Sequence, residues 1–253
     1  MRRLSSLTAV SIFALIFIVL GQTFASAQES NHQVFLPIIT KPATAIAGSL
    51  QNGSFEEGWT DMPPAPGNLI NQQPNGWDYY WIEPGDPLFD SSDTAQGVPE
   101  SIHKLAEQLP PHERPGGSDA LILDGNAVYK IFHFGAPFGA ELSQTVADLP
   151  PGSVWRLRVP VQVHLHGETD PFGAESSVWV NNEGGWVHGF DMGDRDWYVH
   201  EQVVVVPADG QLQIQIRVKS KWPSSKDFFI DDVQLEQVSS LELEREVQSG
   251  VRD

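Results

Sequence analysis

The segment Leu212-Gln213-Ile214-Gln215-Ile216-Arg217-Val218-Lys219 decides the fold class, because every second residue in it is aliphatic. A period of two residues indicates a β-strand with one face in a hydrophobic core and one polar face. A second segment, Trp155 to His166, has the same period, with valines at positions 159, 161 and 163. Pro160 interrupts this second segment and predicts an edge position or a bulge there, because proline has no N–H to donate.

Further short strands are predicted between turn signals along the rest of the chain. They cover residues 120–123, 140–147, 176–181, 200–206 and 228–235. Residues 99–109 are predicted to form a short helix, because the apolar residues within that range share one helical face. Several short strands with regularly spaced turns are typical of a β-sandwich or barrel. We therefore expect an all-β chain.

The N-terminal segment has the order of features found in a secretory signal. Arg2 and Arg3 precede an apolar run from Val10 to Leu20, and Ala25-Ser26-Ala27 supplies a small-residue cleavage site. We predict a signal peptide over residues 1–27 and a secreted protein, located outside the cell or in the cell envelope. The apolar run is shorter than the ~20 residues that a membrane helix needs, so no membrane insertion is expected after cleavage. The alternative is an uncleaved anchor.

Three regions are predicted after the signal peptide: a tether (28–47), one large domain (48–237) and a polar tail (238–253). The net charge of −18 argues against nucleic acid or an anionic lipid surface as a partner. It also has a simpler explanation in solubility alone. The absence of cysteine excludes disulfides, thiol catalysis and zinc–thiolate sites. The oligomeric state does not follow from the sequence.

Short phrases at the two ends of the domain carry a resemblance to a known family. Leu50-Gln51-Asn52-Gly53-Ser54-Phe55-Glu56 opens the domain, Gly76-Trp77 follows, and Phe229-Ile230-Asp231-Asp232-Val233-Gln234-Leu235 closes it. Between them lie Leu142 to Val146 and the turn Leu149-Pro150-Pro151-Gly152. This order resembles the carbohydrate-binding modules of the galactose-binding-like jelly-roll type over residues 48–237. The resemblance implies a two-sheet antiparallel jelly-roll β-sandwich, but it does not identify a ligand.

The same resemblance implies a structural Ca²⁺ ion where the first and last strands meet. Glu56 and Asp231 match the family's ligand phrases, and Asp232 or Glu57 could take their place. Carboxylate oxygens are the ligands that a hard cation prefers. The alternative is that these acids face water. The long insertion between Trp77 and Leu121 departs from the family and leaves the shape of any binding cleft open.

If the aliphatic residues of the alternating strands form the core, the opposite positions predict a polar face with an aromatic ring. Amide, guanidinium and indole groups suit sugars, whose hydroxyls form hydrogen bonds and whose C–H faces stack on rings. The candidate ligand-binding residues are Arg158, Gln162, His164, His166, Trp179, Asn181, Gln213, Gln215 and Arg217. The alternative is an ordinary solvated sheet face. We predict a non-catalytic module that binds a polysaccharide or glycan.

Two other function classes are considered beside glycan binding. One is an extracellular structural or adhesion module without a sugar site. The other is a jelly-roll polysaccharide lyase or glycoside hydrolase, for which Gln162, His164 and Arg217 are suitable residue types. His164 and His166 also resemble half of a metal site, but two histidines alone are incomplete. No nucleophile elbow or phosphate loop is present in the sequence, so the enzyme hypothesis has no motif of its own.

Overall fold

A computed structural model describes residues 46–47, 49–67 and 69–239 of the 253-residue chain. The predicted signal peptide, nearly all of the predicted tether and the predicted tail after Ser239 lie outside these residues. In chain order the strands are β1 (Ile46–Ala47), β2 (Trp59–Asp61), β3 (Gln72–Pro74), β4 (Asp78–Trp81), β5 (Glu100–Leu105), β6 (Ala127–His133), β7 (Phe138–Ala147), β8 (Val154–His164), β9 (Ala174–Val180), β10 (Glu183–His188), β11 (Trp197–Val205), β12 (Leu212–Ser220), β13 (Lys226–Ile230) and β14 (Gln234–Gln237).

Helical structure in the described part of the chain is limited to a 3-10 turn (Ala106–Gln108) and the four-residue helix α1 (Gly189–Met192). Neither has the length or the apolar character to cross a membrane.

The strands form two six-stranded sheets. The first sheet has the order β1-β7-β12-β9-β10, with β4 also paired to β7; the second has the order β11-β8-β13-β6-β5, with β14 paired to β8. Strands β2 and β3 form a separate hairpin. Every pairing is antiparallel except the two-residue contact of β1 with β7. This arrangement is the predicted two-sheet antiparallel jelly-roll sandwich.

The main core lies between the two sheets and consists of the aliphatic positions of the alternating strands. Val159, Val161 and Val163 of β8 are fully buried, as are Ile214 and Val218 of β12. Each buried side chain of this size stabilises the fold by roughly 1.5–3 kcal/mol. The two-residue period in the sequence therefore predicted correctly which side chains of β8 and β12 face the main core.

A second apolar cluster covers the outer face of the second sheet. Val128 of β6 and Phe229 of β13 point away from the main core and pack against Leu109, Leu121 and Ile122. These last three residues belong to the long segment between β5 and β6, which crosses this face. The outer face of the second sheet is therefore partly closed by the chain itself.

Two segments between residues 99 and 123 differ from the predictions. The predicted helix over 99–109 is strand β5 followed by the 3-10 turn, because Ser101 and His103 alternate inward and β5 pairs with β6. Residues 120–123 are not a strand. The N–H of Leu121 donates to the Glu113 carbonyl, and the N–H of Leu123 donates to the Asp231 carboxylate, so neither is available for a ladder.

Pro160 is not at an edge, because β8 lies between β11 on one side and β13 and β14 on the other. The predicted last strand is divided instead: β13 ends at Ile230, opposite Val161, and β14 begins at Gln234, opposite Arg158. The interruption leaves Pro160 without a partner on that side, where a residue lacking an N–H is tolerated. Within the interruption, the Val233 N–H donates to the Gly53 carbonyl over 2.9 Å, which joins the two ends of the domain as expected.

Candidate functional site

The nine residues predicted to share one sugar-binding face lie on two faces that point in opposite directions. On or just after strands of the first sheet are Trp179, Asn181, Gln213, Gln215 and Arg217. On or just after strand β8 of the second sheet are Arg158, Gln162, His164 and His166. The prediction of one common groove is therefore wrong for the four β8 residues. Alternation shows which residues of a strand point outward, but it does not show to which sheet the strand belongs.

The first sheet carries an indole beside a row of polar groups on its outer face. Trp179 of β9 lies directly opposite Gln215 of β12, and Arg217 lies opposite Glu141 of β7. The Trp179 Nε1 donates to the Ser177 hydroxyl over 2.9 Å, which fixes the orientation of the ring. We call this surface, with Tyr80 and Gln213 at its margins, the Trp179 face.

A buried carboxylate organises the polar groups of the Trp179 face. Glu141 is almost fully buried, and its Oε2 accepts a hydrogen bond of 2.6 Å from the Arg217 Nε. The Gln215 Nε2 donates to both Glu141 oxygens, at 3.1 and 3.2 Å. Burial, and then the charge of Glu141, raise the pKa of Tyr80 well above its usual range, so its phenol stays protonated. The Gln215 Oε1 is buried and accepts no hydrogen bond from any described residue.

The segment between β4 and β5 covers one end of the Trp179 face. The Arg217 guanidinium lies over the rings of both Phe89 and Trp179, at 5.1 and 5.2 Å from their centroids. The Asp93 carboxylate of the same segment accepts a hydrogen bond of 2.8 Å from the Lys219 Nζ. The segment therefore covers the end of the face near Lys219.

A cleft of about 460 Å³ continues the face at the Gln213 end. It is lined by Thr145, Asn181, Asn182, Pro207, Asp209, Gln211 and Gln213. Asn181 and Asn182 have φ angles of 50° and 67°, as a two-residue turn between antiparallel strands requires. The Asn181 Oδ1 accepts the Gln213 N–H over 2.8 Å, which ties this turn to β12. Amide groups therefore dominate a concave surface beside the indole.

The outer face of the second sheet is partly covered by the segment between β5 and β6. Gln162 is 2% exposed, and the neighbouring Trp197 donates from its Nε1 to the Ala120 carbonyl of the covering segment. Arg158 is exposed and forms an ion pair of 3.4 Å with Glu201. Because Gln162 and His164 face away from Arg217, these three residues do not form the site that a lyase would need.

His164, His166 and Asp227 form a group at the edge of the second sheet. One nitrogen or oxygen of each lies within 4.8 Å of the others, and this is the one group of three such side chains in the described part of the chain. Asp227 reaches the two histidines from β13 and was not identified from the sequence, whereas Glu168, the acid nearest to them in the sequence, is not in the group. Glu168 instead accepts hydrogen bonds from two backbone N–H groups and from Ser224.

The two predicted calcium ligands both contact the turn before β6. The Glu56 Oε1 accepts the N–H groups of Asn126 and Ala127, each over 2.6 Å. Asp231 is fully buried, and its Oδ2 accepts the N–H groups of Leu123 and Asp124 at 2.7 and 3.2 Å. Burial raises the pKa of Asp231 to about 7, although hydrogen bonds from the N–H groups of Leu123, Asp124 and Asp232 act in the opposite direction. Both carboxylates thus converge on one turn with oxygens of the type that calcium binds.

Two residues of the Trp179 face were not identified from the sequence. Glu141 lies within the predicted strand 140–147, and alternation places it on the side opposite Leu142 and Val146, but nothing in the sequence brings it beside Arg217. Tyr80 lies outside every strand that was predicted from the sequence. Their proximity to Arg217 depends on the pairing of β4 and β12 with β7, which is not visible in any local pattern.

No protein-family profile and no curated protein sequence matches the chain. Among solved structures, the chain is similar to TmCBM61 in complex with β-1,4-galactotriose, with 18% identity and a TM-score of 0.45 over 75% of this chain and 97% of that one. It is also similar to the CBM22-1 xylan-binding domain from Paenibacillus barcinonensis Xyn10C, with 15% identity and a TM-score of 0.35 over 74% and 93%. The enzymatically active domain of bacteriophage CBA120 tailspike protein 4 has 14% identity and a TM-score of 0.43 over 75% of this chain and 21% of that chain. The assignment of the fold rests on the strand order and core of the chain itself.

Proposed function

We propose that this chain is a secreted carbohydrate-binding protein that holds a glycan on the Trp179 face. The indole of Trp179 supplies a surface on which the C–H face of a sugar ring stacks. Gln215, Arg217 and Glu141 beside it supply donors and acceptors for the hydroxyl groups. Because these groups are already fixed by contacts with one another, little side-chain entropy is lost when a sugar binds.

The observation that carries the proposal is the position of the Trp179 indole directly opposite the Gln215 amide, beside the ion pair of Arg217 and Glu141. The cleft lined by Asn181 and Gln213 extends the same surface, so a chain of several sugar units has room to continue there.

The test is retention of the protein on a panel of insoluble and gel-embedded polysaccharides that includes β-1,4-galactan and xylan. We expect W179A and Q215A each to weaken binding of the retained glycan at least about tenfold, which corresponds to ~1.4 kcal/mol. R158A is the matched control, because Arg158 is an exposed polar residue on the opposite sheet. It should bind as the wild type does.

Retention that survives W179A and Q215A, or that is lost in R158A, would contradict this location of the site. A structural or adhesion module would bind none of the polysaccharides. An enzyme would release reducing or unsaturated sugars from one of them, which is measured in the same incubations.

We also propose a structural calcium ion held by Glu56 and Asp231, with backbone carbonyl groups completing its ligands. Asp231 is fully buried, and the turn that both carboxylates contact lies near the hydrogen bond from Val233 to Gly53 that joins the two ends of the domain. We expect a calcium-selective chelator to lower the melting temperature, and added Ca²⁺ to restore it. An unchanged melting temperature after chelation would refute this proposal.

Export is proposed from the N-terminal segment of residues 1–27, with cleavage after Ala27. Expression of the full chain in a secreting host should yield a product that begins at Gln28, as determined by mass spectrometry. A cell-associated product that retains Arg2 and Arg3 would contradict it.

A further inference from the structure

Two histidines and an aspartate converge at the end of β8, on the opposite side of the sandwich from the Trp179 face. His164 and Asp227 are directly opposite each other in the antiparallel pair of β8 and β13. His166 follows β8 with a φ of 50°, and its Nε2 lies 3.0 Å from the Asp227 Oδ2. A ligand-type atom of each side chain lies within 4.8 Å of the other two. When metal–ligand bonds are 2.0–2.2 Å long, neighbouring ligand atoms lie ~3.3 Å from each other. Small side-chain rotations would bring the three ligand atoms to this separation.

The two buried residues of this group, His164 and Asp227, each contact a further polar side chain outside the group. The His164 Nε2 lies 2.9 Å from the Gln162 Oε1, which is an acceptor and therefore places the imidazole proton on Nε2. The Nδ1 of His164 then keeps its lone pair. The Asp227 Oδ1 forms an ion pair of 3.2 Å with the Lys130 Nζ, which leaves Oδ2 directed at His166. Such outer partners orient the ligands in metal sites of proteins.

The group is buried at His164 and Asp227 and open to solvent at His166. His164 and Asp227 are 5% and 9% exposed, and the ring of Phe229 lies 4.7 Å from that of His164. The side chain of His166 is 35% exposed. An ion can therefore reach the group past His166, and one coordination position would remain open to solvent.

We propose that His164, His166 and Asp227 bind one divalent transition-metal ion, in a site separate from the glycan surface and from the proposed calcium site. Two imidazole nitrogens and one carboxylate oxygen suit ions such as Zn²⁺, Co²⁺ or Ni²⁺. They do not suit Ca²⁺, which prefers an all-oxygen shell. The bound ion would connect the end of β8 to the start of β13.

The test uses the full chain without an affinity tag, freed of metal by a chelator and titrated with ZnCl₂ by calorimetry. We expect one saturable Zn²⁺ ion per chain that added Ca²⁺ does not displace. Titration with Co²⁺ should produce visible absorption bands of a four-coordinate nitrogen and oxygen site. H166N should weaken Zn²⁺ binding at least tenfold, since even the loss of an outer partner typically costs 10- to 100-fold. Asparagine is chosen because it tolerates the positive φ at this position.

The matched control is H188N. His188 has similar exposure, 36%, and a similar contact with a carboxylate, 2.6 Å from Glu175, but it lacks a second imidazole. Zn²⁺ binding by H188N should equal that of the wild type. The near-isosteric D227N is the second test if H166N does not fold, and it should also weaken binding at least tenfold. Absence of saturable Zn²⁺ binding by the wild type, or unchanged binding in the folded ligand variants, would overturn the proposal and leave an ordinary network of Lys130, Asp227 and His166.

Discussion

Substitution of Lys219 in β12 tests how the segment between β4 and β5 is attached to the first sheet. Its ammonium group is 3% exposed and lies 2.8 Å from carboxylate oxygens of both Asp93 and Glu175. Burial by itself would lower the pKa of Lys219, but hydrogen bonds and charge attraction from the two acids outweigh it and raise the pKa. The lysine therefore stays protonated at neutral pH and balances two shielded negative charges.

We expect K219M to lower the free energy of unfolding by about 3 kcal/mol. Removing one partner of a buried ion pair typically costs about 3–5 kcal/mol, because the remaining charge stays buried without compensation. The lower end applies here because each acid keeps one other contact: Asp93 retains Lys221 at 3.4 Å and Glu175 retains His188 at 2.6 Å. Methionine fills the volume of the lysine stem, so loss of packing adds little.

Equilibrium urea unfolding at pH 7, followed by tryptophan fluorescence, measures this effect. The matched control is K221M, because Lys221 contacts the same Asp93 but is 21% exposed, and partly solvated pairs contribute about 1 kcal/mol or less. At pH values above the usual lysine range the stability of the wild type should fall toward that of K219M, since a raised pKa gives stability that is lost on deprotonation. A change below ~1 kcal/mol in K219M, or equal changes in both variants, would refute the argument.

Three further predictions follow from individual buried groups. Burial lowers the pKa of His103 from 6.5 to about 4, so the fold favours the neutral imidazole. The free energy of unfolding therefore decreases as the pH falls from 7 to 4. H103F should reduce this decrease by about 3 kcal/mol, as measured by urea unfolding at the two pH values. G184A should weaken glycan retention and lower the melting temperature. A Cβ at this position would lie 2.3 Å from the Val178 carbonyl oxygen and 2.9 Å from the Trp179 ring, so the ring would have to move. Unchanged retention would show that the position of the indole does not matter for binding. N52A should cost about 3 kcal/mol in urea unfolding, because the Asn52 side chain makes three hydrogen bonds to the backbone; a loss under 1 kcal/mol would contradict that count.

The sequence predicted the sandwich and the direction of its core residues because both depend on local alternation. Val161 and Ile214 are buried as their positions in the pattern require. Alternation also places Gln162 and Gln215 outward correctly. Alternation does not show which strands pair with each other. Residues of β8 and β12 were therefore predicted to share one face, although these strands lie in different sheets.

The errors between residues 99 and 123 have a similar cause. An apolar spacing that fits a helix also fits a strand whose inward residues include Ser101 and His103, and only the pairing with β6 decides between them. Leu121 and Leu123 donate their N–H groups to Glu113 and Asp231, which lie at different distances along the chain. The members of the Trp179 face and of the histidine–aspartate group likewise depend on contacts between distant strands. The proposed calcium site remains a prediction from the resemblance.

The two outer faces lie on opposite sides of the sandwich, so a ligand bound to one face does not contact the other. Stacked sheets lie ~10 Å apart, and the side chains of the core fill that space. A polymer lying along Trp179 would therefore leave His166 on the far side, directed toward bulk solvent. The molecule would be able to stay attached to a surface through one side while the other side remains free to exchange small ions with its surroundings.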